Sequence, residues 1–170
     1  MAGIYIHIPF CNKACYYCNF HFSVSKNNRS ELLTFIKREL GLRASELQGQ
    51  EIKTIYFGGG TPSVLEVSEI EALLKSIRNN YSVIANPEIT LEANPDDLTL
   101  EKIKELAGTK INRLSIGVQS FRDVDLKFMN RSHSAEEALI SIQQARDYFS
   151  NITVDLIYGV PQLSKEAWKK

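Results

Sequence analysis

The stretch GIYIHIPFCNKACYYC, residues 3–18, joins a short apolar run to three cysteines, Cys11, Cys15 and Cys18. The isoleucines and the tyrosine of the run favour a β-strand, and the proline that follows marks its end. The chain contains no further cysteine. Three thiols within eight residues indicate metal or redox chemistry in a compartment that keeps cysteines reduced. The stretch therefore predicts a first strand whose carboxyl end delivers a set of ligands.

Four more strand-like runs follow, each separated from the next by a segment with helical spacing. The runs begin at Thr54, Glu88, Arg113 and Ile152. Helices are predicted from about Glu31 to Gln48, from Ser68 with Glu71 as its capping-box partner, from Thr99 to Gly108, and from Ser134 with Glu137 as its partner. This alternation predicts an α/β fold in which right-handed crossovers join parallel strands. The pattern leaves open whether the sheet is doubly wound or curls as part of a barrel.

Apolar residues within the predicted helices recur at helical spacing and are expected to face the sheet. These positions are Leu32, Ile36 and Leu40 in the first helix, Ile70, Leu73, Leu74 and Ile77 in the second, Ile103 and Leu106 in the third, and Leu139 and Ile142 in the fourth.

The composition excludes several classes of function. Hydrophobic residues make up 44% and charged residues 24% of the 170 residues, and the formal net charge is zero. This balance is typical of a soluble globular domain and offers no basic surface for nucleic acid. No apolar run approaches the roughly 20 residues of a membrane span, and the N-terminus lacks the features of a signal peptide. We therefore expect a cytoplasmic protein with no nucleic-acid partner and no membrane span.

The carboxyl ends of all five predicted strands carry polar residues or glycines. In parallel α/β folds these ends share one rim, where ligands bind. Each residue alone has an ordinary explanation, such as a turn glycine or a helix cap, but their joint occurrence with the cysteine loop favours one site. Beyond the cysteines, the rim residues are Gly59, Gly60 and Thr61 after the second strand, Glu92 on the third, Gln119 on the fourth and Asp155 on the fifth.

The cysteines are compatible with two kinds of metal site. Together with His21 they could form a structural Cys3His zinc site, although such sites usually space their ligands as two separated pairs. A cubane [4Fe-4S] cluster needs one ligand per iron, so three cysteines would leave the fourth iron open for a small bidentate ligand. The spacing favours the cluster, and the zinc-binding domain is the alternative of a different class.

The spacing Cys11-x3-Cys15-x-Tyr17-Cys18 resembles the signature of the radical S-adenosylmethionine (radical SAM) superfamily. The segments YFGGGTPS, LEANPDD, RLSIGVQSF, MNRSH and DLIYGVP more narrowly resemble the oxygen-independent coproporphyrinogen III oxidases and their haem-chaperone relatives. The resemblance covers essentially the whole chain and implies a partial TIM-like (β/α)6 barrel. It also implies that residues 1–170 are an incomplete radical SAM core, truncated after the fifth strand and without the sixth strand and the C-terminal domain.

The resemblance assigns roles to the residues that match the family. Cys11, Cys15 and Cys18 correspond to the ligands of a [4Fe-4S] cluster. The positions that correspond to contacts of S-adenosylmethionine are Tyr5, Tyr17, Gly59, Gly60, Thr61, Glu92, Gln119, Arg131 and Asp155. Among these, Tyr17 matches the aromatic residue beside the adenine, and Glu92 matches a carboxylate that contacts the ribose. No side chain is assigned as a catalytic acid, base or nucleophile.

One position departs from the oxidase pattern. The oxidases have a fourth cysteine two residues after the third, where this chain has Phe20, which we expect to pack against the cysteine loop. The sequence Cys-Asn-Phe resembles the haem-chaperone branch instead. The resemblance therefore implies haem binding in the full-length protein and haem transfer to acceptor proteins. Oxidation of a porphyrinogen by a coproporphyrinogen III oxidase is the alternative function.

Overall fold

Five short runs of the sequence form one parallel sheet in the computed structural model, which describes residues 2–161 and 163–169. The strands are β1 (Ala2–Ile8), β2 (Ile52–Gly59), β3 (Val83–Ala93), β4 (Arg113–Gln119) and β5 (Ile152–Leu156). They pair in sequence order, and each pair is parallel. The predicted α/β class with parallel, sequential strands is confirmed.

Helices connect each strand to the next, and a short last helix follows β5. They are α1 (Arg29–Leu42), α2 (Val67–Asn80), α3 (Leu100–Ala107), α4 (Asp123–Phe128), α5 (Ala135–Arg146) and α6 (Lys165–Trp168), with short 3-10 turns at Ala44–Leu47, Pro62–Val64 and Pro95–Asp97. As predicted, Thr99 caps α3 and Ser134 forms a capping box with Glu137 at the start of α5. Across the described residues, no helix is both long enough and apolar enough to cross a membrane.

The two faces of the sheet differ in polarity because successive strand side chains point to opposite sides. On the face that packs against the helices, Phe57, Leu91 and Leu114 are fully buried in the hydrophobic core. On the other face, Tyr56 and Glu92 occupy the alternate positions and hydrogen-bond to each other. The core therefore lies between the sheet and its helices, and the opposite face is free to carry polar side chains.

Several helix details differ from the sequence prediction. The capping box of α2 is Glu66 with Glu69, two residues before the predicted pair, although the predicted core face of this helix is buried. In α5, the buried positions are Ala138, Ser141 and Ala145, whereas Leu139 is 49% exposed. Small side chains let α5 approach its neighbours closely, so its packing face does not coincide with its largest apolar residues. The first helix ends at Leu42, before the predicted Gln48, and α4 was not predicted.

Candidate cofactor site

A cavity of about 280 Å³ lies at the carboxyl ends of the strands. The loop after β1 contributes Cys11, Cys15 and Cys18 to its wall, and the ends of the other four strands contribute further residues, while Arg131 comes from the segment between α4 and α5. The residues predicted from the sequence that line this cavity are Tyr17, Gly59, Gly60, Thr61, Glu92, Gln119, Arg131 and Asp155. The sheet thus brings together, at one rim, residues that lie far apart in the sequence.

Tyr5 is the predicted contact that lies outside the cavity wall. Its ring stacks on that of Tyr56 with the centroids 5.9 Å apart, and its hydroxyl lies 3.2 Å from Nδ1 of His7. The side chain is 58% exposed. Tyr5 therefore shares the polar face of the sheet with the site residues without bordering the cavity itself.

The cysteine loop holds three free thiols beside one another. Cys11 is buried and its N–H donates to the carbonyl of Ser23 at 3.0 Å, whereas Cys15 and Cys18 are half-buried. Burial raises the pKa of the Cys11 thiol, and the hydroxyl of Thr61 lowers it by donating to Sγ at 3.2 Å. The neighbouring thiols of Cys18 and Cys15 raise this pKa further. Three thiols therefore crowd one wall, where a positively charged partner would favour the thiolate form of Cys11.

Arg131 brings a positive charge to this wall. Its Nη2 donates to the carbonyl of Gly117 at 2.6 Å and to Oδ1 of Asn94 at 2.8 Å. Its Nη1 donates to the Tyr17 hydroxyl at 3.3 Å and lies 3.5 Å from Sγ of Cys15. Its buried Nε has no hydrogen-bond partner among the described residues. The guanidinium is thus fixed against β3 and β4 and faces the cysteine loop.

Glu92 lies on the cavity wall, at the end of β3. Its Oε1 accepts from the Tyr56 hydroxyl at 2.7 Å, and its Oε2 accepts from the N–H of Gly59 at 3.1 Å. Burial and the hydrogen bond to this carboxylate raise the pKa of Tyr56 to about 12. Because each carboxylate oxygen can accept more than one hydrogen bond, Glu92 is oriented by the protein and still able to accept from a ligand.

Two glycines at the end of β2 allow the chain to approach the cysteine loop closely. Gly59 has a φ of 114°, and a Cβ there would lie 2.5 Å from the ring of His7. A Cβ on Gly60 would lie 2.9 Å from the carbonyl oxygen of Phe10. That same carbonyl accepts from the N–H of Thr61 at 2.8 Å. Only glycine fits both positions, which places bare backbone on the cavity wall.

The ends of β4 and β5 complete the wall. Gln119 adopts the left-handed region with a φ of 72°, which costs a non-glycine residue about 1 kcal/mol or more. Its carbonyl accepts from the N–H of Ile157 at 2.9 Å, which ties it to the chain after β5. On β5, Oδ2 of Asp155 accepts from the hydroxyl of Ser115 at 3.2 Å. A strained residue on a cavity wall is typical of a functional position.

Phe20 differs from the sequence expectation. It does not pack against the loop but is 69% exposed, and it lines the cavity together with Phe22. His21, the fourth ligand of the zinc alternative, lies between them in the sequence but does not line the cavity. Its ring is tilted against that of His7, with the centroids 6.3 Å apart. Within the part of the chain that the structure describes, no three His, Cys, Asp or Glu side chains lie close enough to hold a single metal ion.

Several further wall residues were not selected from the sequence as site residues, and three of them lie on or just after β3 and β4, at even spacing from a predicted residue. These three are Asn94, Ser115 and Gly117. Each lies two or four positions from a predicted site residue, Glu92 or Gln119, along the same stretch of chain. The twofold periodicity of a strand places such positions on one face, so this periodicity is the signal that could have identified them.

Comparison with known proteins agrees with this arrangement. The family model of the Radical SAM superfamily matches residues 5–170, so the chain belongs to this superfamily. Its relatives include the heme chaperone HemW of Lactococcus lactis, 39% identical over 166 residues, which are 97% of this chain and 43% of that protein. The oxygen-independent coproporphyrinogen III oxidase of Escherichia coli is 33% identical over 169 residues, which are 98% of this chain and 38% of that protein.

Comparison with solved structures agrees with the comparison of sequences. Coproporphyrinogen III oxidase (HemN) from Escherichia coli superposes with a TM-score of 0.88 at 32% identity, over 98% of this chain and 39% of that one. The archaeal Elp3 of Methanocaldococcus infernus, at a TM-score of 0.63 and 19% identity, shares the fold. The resemblance to the HemW and HemN proteins is thus confirmed. The chain spans about two fifths of the length of these curated relatives.

Proposed function

We propose that the chain binds a [4Fe-4S] cluster through Cys11, Cys15 and Cys18 and binds S-adenosylmethionine beside it. The main support is that three free thiols line the same cavity as the ends of four other strands. Three thiolates ligate three irons of a cubane and leave the fourth open, where a bidentate amine and carboxylate fit. When bound, the cluster would supply an electron that reductively cleaves the sulfonium of S-adenosylmethionine.

The cysteine wall is suited to hold an anionic cluster. The guanidinium of Arg131 offsets negative charge near Cys15, at 3.5 Å from its sulfur. The hydroxyl of Thr61 donates to the sulfur of Cys11 at 3.2 Å. Nearby charge and hydrogen bonds to sulfur are the means by which a protein sets the reduction potential of an iron–sulfur cluster. We therefore assign Thr61 and Arg131 to the cluster side of the cavity as well as to S-adenosylmethionine.

Other residues of the cavity supply contacts for S-adenosylmethionine. Glu92, already oriented by two donors, would accept from the ribose hydroxyls. The backbone at Gly59 and Gly60 would accept from the ammonium group of the methionine part. Tyr17 offers an aromatic ring to the adenine. The remaining proposed contacts of S-adenosylmethionine are Tyr5, Gln119 and Asp155.

The finer proposal is that the protein is a haem chaperone, which binds haem and transfers it to acceptor proteins. The relatives named heme chaperone HemW, at 39% identity in Lactococcus lactis and 37% in Bacillus subtilis, support this assignment. Phe20 supports it too, since it stands where the oxidases have a fourth cysteine. The second candidate is coproporphyrinogen III oxidase activity, which the TM-score of 0.88 to the Escherichia coli enzyme favours.

Haem binding and oxidase activity, measured on the same preparation, separate the two candidates. The chain is reconstituted anaerobically with iron and sulfide and titrated with haem, and the Soret band is recorded. A second sample receives coproporphyrinogen III, S-adenosylmethionine and a reductant. A chimera, in which residues 1–170 replace the matching segment of the Lactococcus lactis relative, provides the parts of those proteins that this chain does not span.

We expect the chimera to shift the Soret band of haem and to form no protoporphyrinogen. Protoporphyrinogen formation without haem binding would favour the oxidase instead. If neither occurs while the cluster is intact, the protein is a radical enzyme for a different substrate.

A further inference from the structure

The corner between α4 and α5 contacts the cysteine loop on both sides of Cys15. The carbonyl of Met129 accepts from the N–H of Tyr16 at 3.2 Å. The side-chain Nδ2 of Asn130 donates to the carbonyl of Ala14 at 2.7 Å. The residues immediately before and after Cys15 are therefore both anchored to a segment that lies more than a hundred positions away in the chain.

Asn130 is suited to this corner by its backbone as well as by its side chain. Its φ of 59° lies in the left-handed region, which asparagine tolerates better than most residues other than glycine. Its own N–H donates to the carbonyl of Lys127 at 3.1 Å, which completes the turn after α4. The short carboxamide can then reach the loop. A longer or β-branched side chain would be less compatible with the left-handed backbone and with the contact to the carbonyl of Ala14.

We propose that Asn130 is a positioning residue for the iron–sulfur cluster. By holding the carbonyl of Ala14, its carboxamide fixes the backbone at Cys15 and so directs the sulfur of Cys15 toward the cavity. The proposal rests on the proposed cluster-binding function of the cysteine loop. Asn130 itself would contact neither the cluster nor S-adenosylmethionine, and it acts through the cysteine.

Two substitutions separate this role from that of an ordinary turn residue. Asn130→Gly keeps the left-handed backbone and removes the carboxamide. Asn130→Asp keeps the size and shape of the side chain, but an ionised carboxylate cannot donate a hydrogen bond to a carbonyl. If Asn130 only shaped the turn, the glycine variant would behave like the wild type. Lys127→Ala, an exposed change on the same corner, is the matched control.

The experiment measures how fast each reconstituted protein loses its cluster to an iron chelator under anaerobic conditions. The EPR line shape of the reduced cluster and the thermal unfolding of the cluster-free chain are recorded in parallel. We expect both Asn130 variants to lose iron on the order of five-fold faster than the wild type, the factor that one typical net hydrogen bond represents. Their EPR line shapes should change, the cluster-free glycine variant should unfold no earlier than the wild type, and Lys127→Ala should match the wild type throughout.

Wild-type rates and EPR line shape in Asn130→Gly would overturn the proposal while leaving the cluster assignment intact. Faster iron loss that is matched by earlier unfolding of the cluster-free Asn130→Gly variant would also overturn it, since that result describes a purely structural residue. A wild-type chain that takes up no iron would instead refute the proposed function, and the role of Asn130 with it.

Discussion

Tyr56 and Glu92 form a hydrogen bond of 2.7 Å on the polar face of the sheet, and this bond is open to a direct test. Burial and the carboxylate of Glu92 raise the pKa of Tyr56 to about 12. Glu92→Gln removes the charge but not the burial, so we expect the pKa of Tyr56 to fall toward its ordinary value of about 10 without reaching it. Ultraviolet titration of phenolate absorbance measures this, with Tyr56→Phe identifying the signal. An unchanged titration in Glu92→Gln would contradict the observed geometry.

The raised pKa of Tyr56 also predicts that the stability of the folded chain depends on pH. Because folding raises the pKa of Tyr56 from 10.0 to about 12, the unfolded chain loses this proton at lower pH than the folded chain does. The resulting contribution to stability is complete below the unfolded value and is lost as the pH rises through the folded one. Glu92→Gln should therefore reduce the loss of stability in this alkaline range.

At the residue scale, the sequence predicted which residues lie together at the rim where strand position decides the outcome. Glu92, Gln119 and Asp155 lie on strands, and strand ends converge by topology. The role of Asn130 could not be predicted in this way, since its partner Ala14 is distant in sequence and the contact depends on how a loop and a helix corner meet. The exposure of Phe20 was not predicted for a similar reason. An apolar residue near a cavity can pack against its neighbours or remain exposed to solvent.

At the element scale, the close packing at the end of β2 gives a testable prediction for Gly60. A Cβ at Gly60 would lie 2.9 Å from the backbone oxygen of Phe10, which cannot rotate away. We expect Gly60→Ala to lower the free energy of unfolding by about 1–3 kcal/mol, as overpacking does elsewhere. Urea denaturation of the cluster-free chain measures the change.

The matched control is Gly41→Ala in α1. A Cβ there would meet only Oδ1 of Asn80 at 3.5 Å, an ordinary contact. Alanine in a helix should then raise the free energy of unfolding by roughly 0.5–1 kcal/mol. Equal effects at the two glycines would show that close approach to the cysteine loop is not what requires Gly60.

Helix and strand elements were largely predictable, and the errors have a common cause. Periodicity identifies an amphipathic helix, but it does not decide which of two adjacent stripes faces the sheet. In α5, the stripe with Ala138 and Ala145 packs inward, and Leu139 lies beside it toward solvent. Close helix packing selects small residues, and this choice depends on neighbours that the local sequence does not specify.

At the scale of the whole molecule, Phe20→Cys tests whether the fourth cysteine of the oxidases decides between the two candidate functions. The substitution places a thiol where they have a fourth cysteine. Because Phe20 is 69% exposed, its replacement should change the free energy of unfolding by no more than about 0.5 kcal/mol. We expect the variant to retain its cluster and to gain no oxidase activity. Protoporphyrinogen formation by the variant, measured by fluorescence after oxidation of the product, would show that this one position decides the function.

The fold of the whole molecule was predictable because two independent signals agreed, the strand–helix alternation and the polar strand ends. Alternation alone left a doubly wound sheet and a partial barrel equally possible. The sequence motif around Cys11, Cys15 and Cys18 carries the family resemblance, and this resemblance favoured the partial barrel over the doubly wound sheet. Distances within the site, such as that from Arg131 to Cys15, depend on how the strands and loops meet and could not be predicted from either signal.

Cluster binding by the three cysteines is measured by anaerobic reconstitution with iron and sulfide, followed by metal analysis and absorption spectroscopy with and without S-adenosylmethionine. We expect about four irons per chain and an iron–sulfur absorbance that S-adenosylmethionine perturbs. Cys15→Ala, which removes one of the three ligands, should abolish this stoichiometry. Stoichiometric zinc that survives purification, with no iron–sulfur absorbance after reconstitution, would contradict the account.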